Sequence, residues 1–425
     1  MSERSEETFD RHEGGDGTVE QSRTVLITLT GKDRPGVTSS LFATLARFGV
    51  EVLDIEQILL RRRLILGLLV TQPRDWKALR DAVEKVAADL DMTVEIDRGA
   101  GDNRPRPEGR SHVTVLGTPL RAAAVAAIAG RIADTGANID RIERMARYPV
   151  TAIDLHVSGT APEKLRAVLS AEAAAQGVDV AVQRADLLLR GLRLIVMDVD
   201  STLIQGEVIE MLAAHAGCEA EIARVTEAAM RGELDFADSL RERVALLAGL
   251  DASCLDRVYD DLVLAPGART MVRTLKRLGY RFAIVSGGFT QVTDRLAADL
   301  GIDFAAANEL EIVDGRLTGR VVGDIVDRAG KAAALRRFAV EAGVTEAATV
   351  AIGDGANDLD MLETAGLGVA FNAKPVVREQ ADTSVTVPYL DAVLYLLGIT
   401  REEIEEADAA DGTPTPAPPI PQPGS

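Results

Sequence analysis

Several features that would mark a protein's class are scarce in this 425-residue sequence. It contains two cysteines, Cys218 and Cys254, which fit neither a disulfide scaffold nor a cysteine-based zinc site, so we expect reduced thiols. No apolar run approaches the roughly 18 residues of a membrane-spanning helix. The N-terminus lacks the basic-then-apolar pattern of a secretory signal. Together these absences predict a cytoplasmic protein.

Positive charge is also in short supply. The net charge of −19 argues against binding nucleic-acid backbones or anionic membranes as the main activity. It does not exclude a small anionic substrate, because a bound metal and a few cations can reverse the field inside one pocket. Hydrophobic residues at 47% and charged residues at 27% are typical of a soluble globular protein, and the length has room for two or three domains.

Composition divides the N-terminal half into segments. Residues 1–22 are predicted to be a disordered tail, and the Gly-, Pro- and Arg-rich stretch 98–110 a linker. The segments on either side of this linker, 23–97 and 111–183, are similar to each other and share a strand–helix–strand–strand pattern. This repeat predicts two ferredoxin-like βαββαβ units. At the other end, the Pro-rich stretch 408–425 is predicted to be a second disordered tail.

The loop after the first predicted strand is Gly31-Lys-Asp33-Arg-Pro-Gly36. It resembles the turn between the first strand and first helix of ACT domains. That resemblance implies amino-acid binding near Asp33 and Gly36 and regulation of an attached enzyme. The second repeat departs from the pattern, with Gly117-Thr-Pro in place of Asp-x-Pro-Gly, although we include Gly117 as a candidate ligand contact. A purely structural role in dimerisation is the alternative.

An apolar run at 194–197 ends in Asp198-Val-Asp200-Ser-Thr202. Residues two apart on a strand point the same way, so Asp198 and Asp200 can address one site. Two neighbouring carboxylates raise each other's pKa, and a divalent metal such as Mg²⁺ would resolve the repulsion. Taken alone, the pattern also fits a solvated acidic turn.

Further polar clusters follow strands downstream. Ser286-Gly287-Gly288 follows the strand 282–285, Lys331 follows Gly330, and Gly353-Asp354-Gly-Ala-Asn357-Asp358 follows the strand 347–352. In this order the clusters resemble the four motifs of the haloacid dehalogenase-like phosphohydrolases. The resemblance covers 190–400 and implies a Rossmann-like parallel sheet, an α/β fold.

Each motif then has an implied role. Asp198 would be the nucleophile that forms an aspartyl-phosphate, and Asp200 the general acid and base. Asp198, the main-chain carbonyl of Asp200 and Asp354 would hold Mg²⁺, with Asp358 supporting the metal site. The implied contacts to the phosphate and substrate come from Ser286, Gly287, Lys331 and Asn357.

Residues 203–265, between the first two motifs, show helical patterns and predict a small helical cap. Glu207 resembles the family's glutamate for a substrate ammonium group, and Arg243 its arginine for a carboxylate. Met230 and Phe236 would close the pocket, although both could equally be core residues, and Glu207 could simply complement a helix dipole. Ammonium, carboxylate and phosphate together describe O-phospho-L-serine as substrate. We therefore expect hydrolysis to L-serine and phosphate, with L-serine as an effector of a homodimer.

Other functions remain open at this point. The enzyme could act on phosphothreonine, phosphohomoserine or a sugar phosphate, or transfer the phosphoryl group to another alcohol. The chain could also be an amino-acid-sensing protein with a vestigial catalytic half. The intact acids at 198, 200 and 354, together with Lys331, argue against that last reading.

Overall fold

The computed structural model describes residues 23–100, 109–185, 194–230, 233–413 and 415. Both predicted tails lie largely outside this range, and so does most of the predicted linker. The chain divides into two compact units between residues 106 and 107. No helix in the described ranges is both long and apolar enough to cross a bilayer.

The first unit has the predicted ferredoxin-like fold. Alternate residues of its first strand are buried, because one face of the sheet carries both helices. Its four strands are ordered β2-β3-β1-β4, and all neighbours are antiparallel. Its elements are β1 (Arg23–Lys32), α1 (Val37–Ala46), β2 (Val52–Leu60), β3 (Arg63–Thr71), α2 (Trp76–Asp89) and β4 (Met92–Ala100).

The second unit begins with another copy of this fold, as the internal repeat predicts. Its sheet has the equivalent order, β6-β7-β5-β8. Its elements are β5 (Ser111–Gly117), α3 (Ala122–Asp134), β6 (Asn138–Ala146), β7 (Thr151–Ser158), α4 (Pro162–Gln176) and β8 (Asp179–Arg184).

A seven-stranded sheet forms the rest of the second unit, with the order β12-β11-β10-β9-β13-β14-β15. All neighbours are parallel except β11 and β12, which pair antiparallel. The α/β expectation is therefore confirmed. The strands are β9 (Leu194–Met197), β10 (Arg281–Phe289), β11 (Phe304–Val313), β12 (Arg316–Val322), β13 (Thr349–Gly353), β14 (Leu367–Phe371) and β15 (Thr383–Val385).

Helices cover both faces of this sheet. Ile195 and Met197 of the central strand β9 belong to one buried apolar cluster, whereas Leu194 and Val196 belong to another. A strand buried on both faces reads as an unbroken apolar run, which is how β9 appears in the sequence. The helices of the sheet domain are α9 (Ala268–Arg277), α10 (Thr290–Leu300), α11 (Arg328–Ala342), α12 (Leu359–Thr364), α13 (Pro375–Gln380), α14 (Val393–Leu396) and α15 (Arg401–Ala410).

The segment between β9 and α9 forms a small cap, and its described residues contain helices but no strand. This agrees with the helical patterns in its sequence. The cap helices are α5 (Val208–Ala216), α6 (Glu219–Met230), α7 (Phe236–Ala245) and α8 (Ser253–Asp260).

The sheet of the second ferredoxin-like copy packs directly on the domain built around the seven-stranded sheet. Leu116, Ala152 and Ala181 belong to the same buried apolar cluster as the core of that domain. Thr383 Oγ1 donates a hydrogen bond to the carbonyl of Val180 at 3.1 Å. The two domains of the second unit therefore share a core.

Two boundaries differ from the sequence prediction. The linker is predicted from residue 98, but β4 continues to Ala100. The tail was expected from residue 408, but α15 continues to Ala410 and Asp408 is fully buried. Asp408 pairs with Arg273 and Arg277 of α9, and Thr400 caps the helix start. The proline-rich composition that signals disorder begins only beyond these contacts, and residues 416–425 lie outside the described range.

Candidate active site

Three of the predicted motifs meet at one edge of the large sheet. Strand β9 lies between β10 and β13 and runs parallel to both, so the carboxyl ends of all three strands face the same side. Asp198 follows β9 immediately, Ser286 lies in β10, and Asp354 follows β13. The backbone N–H of Asp198 donates to the carbonyl of Ile352 at 2.9 Å, which holds the first motif against the fourth.

A buried lysine joins two of the carboxylates. Lys331 Nζ lies 2.8 Å from Asp198 Oδ1 and 2.7 Å from Asp358 Oδ1, and none of these side chains is more than 5% exposed. Lys331 lies in the first turn of α11, where Asp327 accepts a hydrogen bond from the Gly330 N–H at 2.8 Å. This N-terminal capping hydrogen bond fixes the start of α11 and with it the position of Lys331.

The charges around Lys331 do not balance. Burial raises the pKa of Asp198 well above its usual range, and Asp358 raises it further, although Lys331 acts in the opposite direction. Burial lowers the pKa of Lys331, but Asp198 and Asp358 together raise it above its ordinary value. The lysine therefore stays protonated, and its single positive charge is shared between two carboxylates, those of Asp198 and Asp358.

Asp200 links the first motif to the second and to the cap. Its Oδ1 accepts a hydrogen bond from the Val208 N–H at 2.8 Å, in the first turn of α5. Its Oδ2 accepts from Ser286 Oγ at 2.9 Å. Burial raises the pKa of Asp200, against these two hydrogen bonds, which lower it. A carboxyl group with a raised pKa is suited to donating a proton.

The loop after Ser286 needs its glycines. A Cβ at Gly288 would lie 2.9 Å from Ser286 Oγ and 3.0 Å from Asp200 Oδ2. A Cβ at Gly287 would lie 2.9 Å from the ring of Phe236. The backbone N–H of Gly288 donates to Ser286 Oγ at 2.7 Å, so the loop is folded tightly around this hydroxyl.

Asn308 supports this loop through its backbone and was not among the predicted site residues. Its Nδ2 donates to the carbonyl of Gly287 at 2.8 Å, and its Oδ1 accepts from the Val326 N–H at 2.8 Å. The side chain is buried and lies in β11, one strand over from the β10 loop. The available signal was a single amide directly after the apolar run 304–307.

The fourth motif completes the acidic cluster. Ligand atoms of Asp198, Asp354 and Asp358 all lie within 4.8 Å of one another. Burial raises the pKa of Asp354 to about 6, with a further contribution from Asp358, while a hydrogen bond of 3.0 Å from Thr202 Oγ1 lowers it. Thr202 is the last residue of the first motif, and its hydroxyl holds the Asp354 carboxylate in place.

Asn357 and Asp358 occupy the turn after Asp354. Asp358 Oδ2 accepts a hydrogen bond from the Gly355 N–H at 2.9 Å, which closes the turn. A Cβ at Gly353 would lie 2.4 Å from Asp358 Cγ, so this close approach requires glycine. The Asn357 side chain is half-buried and folds over Gly355.

The cap brings two further charges to this edge. Glu207 is the N-cap residue of α5, and Arg243 lies on α7, one face of which also carries Phe236. Burial lowers the pKa of Arg243, against Glu207 and Asp200, which raise it. Burial also raises the pKa of Glu207, and the negative charge of Asp200 raises it further. The side chain of Met230 lies outside the described residues.

The candidate regulatory residues belong to the two ferredoxin-like copies. Asp33 and Gly36 belong to the first unit, where Gly36 is the N-cap of α1 with φ of 97°. Gly117 belongs to the second unit and lines a cavity of about 300 Å³, together with Asp179 and residues 386–389. This cavity lies between the second ferredoxin-like copy and the domain built around the seven-stranded sheet.

Comparison with known families agrees with this organisation. Residues 195–363 match the haloacid dehalogenase-like hydrolase family, and residues 23–97 and 110–183 each match an ACT domain. A phosphoserine phosphatase of Streptomyces coelicolor is 66% identical over 91% of this chain and 94% of its own length. The chain belongs to the phosphoserine phosphatase family.

Other phosphoserine phosphatases are also similar to this chain. A phosphoserine phosphatase of Mycobacterium tuberculosis is 56% identical over 91% of this chain and 96% of its own length. Among solved structures, a probable phosphoserine phosphatase from Vibrio cholerae superposes with a TM-score of 0.55 at 37% identity. That superposition covers 68% of this chain and 86% of the other.

Proposed function

We propose that this protein hydrolyses O-phospho-L-serine to L-serine and phosphate, using Mg²⁺ and an aspartyl-phosphate on Asp198. One observation supports this substrate above others. The cap presents Arg243 and Glu207, opposite charges, to the edge of the sheet that carries Asp198 and Asp200. Arg243 acts to lower the pKa of Asp200, and Asp200, after burial, raises the pKa of Glu207. An arginine for carboxylate and a glutamate for ammonium complement an amino acid, and a sugar phosphate offers neither group.

The donor set fits Mg²⁺. The clustered ligand atoms of Asp198, Asp354 and Asp358 are all carboxylate oxygens, the type that Mg²⁺ prefers. Asp200 adds another acid nearby, and Lys331 is the cation between Asp198 and Asp358. We assign the ion to Asp198, the carbonyl of Asp200 and Asp354, with Asp358 as support. When bound, Mg²⁺ would neutralise phosphate charge and orient the phosphoryl group for attack.

The protein's own groups then carry the reaction. Lys331 and the Val199 N–H both donate to Asp198 Oδ1, so Oδ2 is the oxygen we assign to the attack on phosphorus. Asp200 protonates the leaving serine oxygen and later takes a proton from the water that hydrolyses the aspartyl-phosphate. Ser286 and the Gly287 N–H hold the phosphate oxygens, and Lys331 offsets the negative charge that develops on them.

The remaining candidate contacts position the serine part of the substrate. Arg243 would bind the carboxylate and Glu207 the ammonium group. Phe236 lies over Gly287 and would close the pocket from the cap side, together with Met230. Asn357 would contact the substrate from the fourth motif. A variant of any of these residues should therefore bind substrates less tightly only when they carry the group that the residue contacts.

Replacing Arg243 by Ala tests the substrate assignment. Losing a buried charge-assisted pair typically costs about 2–5 kcal/mol. We therefore expect kcat/KM for phosphoserine to fall by at least about 30-fold, mainly through KM. Hydrolysis of an aryl phosphate, which has no carboxylate, should be nearly unchanged. The measurement is steady-state phosphate release with both substrates.

Arg241 provides the matched control. It lies on the same helix, pairs with Asp238 and is 61% exposed, so Arg241→Ala should leave both substrates unaffected. Equal losses on both substrates in Arg243→Ala would mean that Arg243 serves the phosphate or the fold. The assignment of phosphoserine would then lose its support.

We also infer regulation by L-serine through the ACT domains, in a cytoplasmic homodimer. The product is an amino acid, and the loop from Asp33 to Gly36 has the pattern of an ACT ligand loop. In the dimer, this loop would pair with the second copy near Gly117 of the other chain. Both cysteines are free thiols, which suits a reducing compartment.

A further inference from the structure

The second ACT domain carries a histidine cluster that the phosphatase reaction does not use. The chain has four histidines, and two of them, His112 and His156, lie directly opposite each other on β5 and β7. Their rings contact edge to face, with centroids 4.5 Å apart. Asp154 precedes His156 by two residues, so its side chain projects from the same face of the sheet.

Both imidazoles approach the same carboxylate oxygen. His112 Nδ1 lies 2.6 Å from Asp154 Oδ2, and His156 Nε2 lies 3.3 Å from that atom. Thr114 Oγ1 donates to the other oxygen, Oδ1, at 3.2 Å. Ligand atoms of the two histidines and Asp154 all lie within 4.8 Å of one another. A simple ion pair would need one imidazole, and this site has two.

A fourth ligand is close by. Glu143, on the neighbouring strand β6, places Oε2 3.7 Å from His156 Nε2. Its other oxygen pairs with Arg141 at 2.5 Å, so water could take the fourth position in its place. The Asp154 carboxylate is 9% exposed, whereas both histidines are about 30% exposed, so an ion can enter from solvent.

We propose that His112, Asp154 and His156 form a site for a divalent transition metal of the zinc class. In a tetrahedral zinc site the metal–nitrogen distance is about 2.0–2.1 Å, which places neighbouring ligand atoms about 3.3–3.4 Å apart. The His156–Asp154 separation already has this value, and the His112–Asp154 contact needs to open by less than an ångström. Imidazole nitrogens favour zinc over Mg²⁺, so this site differs in kind from the all-carboxylate cluster near Asp198.

The surroundings suit metal binding. The Thr114 hydroxyl orients the Asp154 carboxylate, as outer-shell groups do for metal ligands. The site goes beyond the proposed phosphatase function, because none of its residues belongs to that active site.

The position of the site indicates a structural effect. Leu116 lies on β5 four residues beyond His112 and packs into the core that the ACT domain shares with the phosphatase domain. A metal bound at His112 and His156 would cross-link β5 and β7 on this same face of the sheet. We therefore expect the ion to stabilise the joined domains and to leave phosphate release unchanged.

The test is a Zn²⁺ titration of the full-length, metal-stripped protein by calorimetry, with Mg²⁺ in large excess to occupy the carboxylate cluster. The expected result is one Zn²⁺ per chain. The double variant His112→Gln/His156→Gln should bind Zn²⁺ at least 100-fold more weakly. His215→Gln is the matched control, because His215 is exposed at the end of α5 and should not affect binding.

Phosphatase turnover in Mg²⁺ reports the integrity of each variant, since none of these histidines lies in the active site. Wild-type protein that binds no Zn²⁺ under excess Mg²⁺ would overturn the proposal, as would equal binding by the double variant. If the double variant does not fold, Co²⁺ titration of the wild type decides. Imidazole-bound tetrahedral Co²⁺ absorbs strongly in the visible, and the absence of this band would also overturn the proposal.

Discussion

Lys331 is the residue on which the electrostatics of the active site depend. Its ammonium group lies between Asp198 and Asp358, while Asp200 and Asp354 add further negative charge nearby. Burial strengthens these interactions, because less water is present to screen them. Burial raises the pKa values of Asp198, Asp200 and Asp354, and the charge of Asp358 raises those of Asp198 and Asp354 further. A divalent cation would relieve this excess of negative charge, which is why the proposed reaction needs Mg²⁺.

Asn308 is a positioning residue whose effect can be measured. Asn308→Ala removes the hydrogen bonds to the Gly287 carbonyl and the Val326 N–H. The loop of Ser286, Gly287 and Gly288, which we assign to phosphate binding, should then be less well placed. Misplacement of this kind costs roughly 10- to 100-fold in rate. We expect kcat to fall by a similar factor for phosphoserine and for an aryl phosphate, because both substrates use this loop.

Arg243→Ala should instead reduce activity on phosphoserine alone, so a loss on both substrates distinguishes an effect on the loop from an effect on carboxylate binding. Asn138→Ala, at an exposed asparagine on β6, serves as the control and should have no effect. Wild-type kcat in Asn308→Ala with both substrates would show that the loop keeps its position without this side chain.

How much of the site the sequence predicts depends on the type of residue. In the sequence, Asp198, Ser286 and Asp354 come at the ends of apolar runs, and parallel strands bring their carboxyl ends together, so their proximity could be predicted. Asn308 could not be predicted, because its partners are the backbone groups of Gly287 and Val326, which sequence patterns do not specify. Thr202 was visible in the motif, but its bond to Asp354 depends on the pairing of β9 with β13.

At the element scale, the contact between β8 and the segment after β15 joins the second ACT domain to the phosphatase domain. Asp179 Oδ2 accepts a hydrogen bond from the Thr386 N–H at 2.7 Å, and Gln183 Nε2 donates to the carbonyl of Leu396. The sequence predicts both domains but not this contact, because it consists of polar pairs more than 200 residues apart. Likewise, the end of α15 depends on Asp408 meeting α9, which no local pattern reveals.

Asp179 gives this contact a pH dependence. Burial raises its pKa to about 6 from an ordinary value of 3.8, against the hydrogen bonds from Thr386. Because the folded pKa is the higher one, the stabilising contribution is complete below pH 3.8 and is lost as the pH rises through about 6. Asp179→Asn carries no charge, so it should gain stability relative to the wild type as the pH rises, by up to about 3 kcal/mol.

Denaturant unfolding of both proteins at pH 4.5 and 7.5 measures this gain. Asp134 is exposed and serves as the control. The difference in unfolding free energy between Asp134→Asn and the wild type should not change comparably between these pH values. If the stability difference between Asp179→Asn and the wild type is the same at both pH values, Asp179 does not titrate in this range.

At the scale of the whole molecule, the proposed function joins a catalytic unit to amino-acid-binding modules. The fold of each module was predictable, because the internal repeat and the strand-end motifs are both local patterns. The effect of one module on another was not, because coupling depends on how a ligand changes the equilibrium between whole assemblies. The regulatory proposal therefore needs a functional test.

Gly36→Ala should weaken inhibition by L-serine without changing uninhibited turnover. Gly36 has φ of 97°, where an L-residue is strained, so alanine should change the backbone of the ligand loop even though its Cβ would meet no other atom within 4 Å. Coupling between sites is typically about 1–3 kcal/mol, so the half-inhibitory serine concentration should rise at least about 5-fold. Gly49→Ala is the matched control, because Gly49 also has positive φ but lies outside this loop. Unchanged serine inhibition in Gly36→Ala would contradict the assignment of this loop.

The central claim is that Asp198 attacks phosphoserine within a Mg²⁺-dependent site, and phosphate release from O-phospho-L-serine tests it most directly. The measurement compares the wild type and Asp198→Asn after chelation and during Mg²⁺ titration. The account predicts that the chelated wild type is inactive, that Mg²⁺ restores its turnover, and that Asp198→Asn stays inactive throughout. Full turnover in metal-free protein, or substantial steady-state turnover by Asp198→Asn verified free of deamidation, would contradict it.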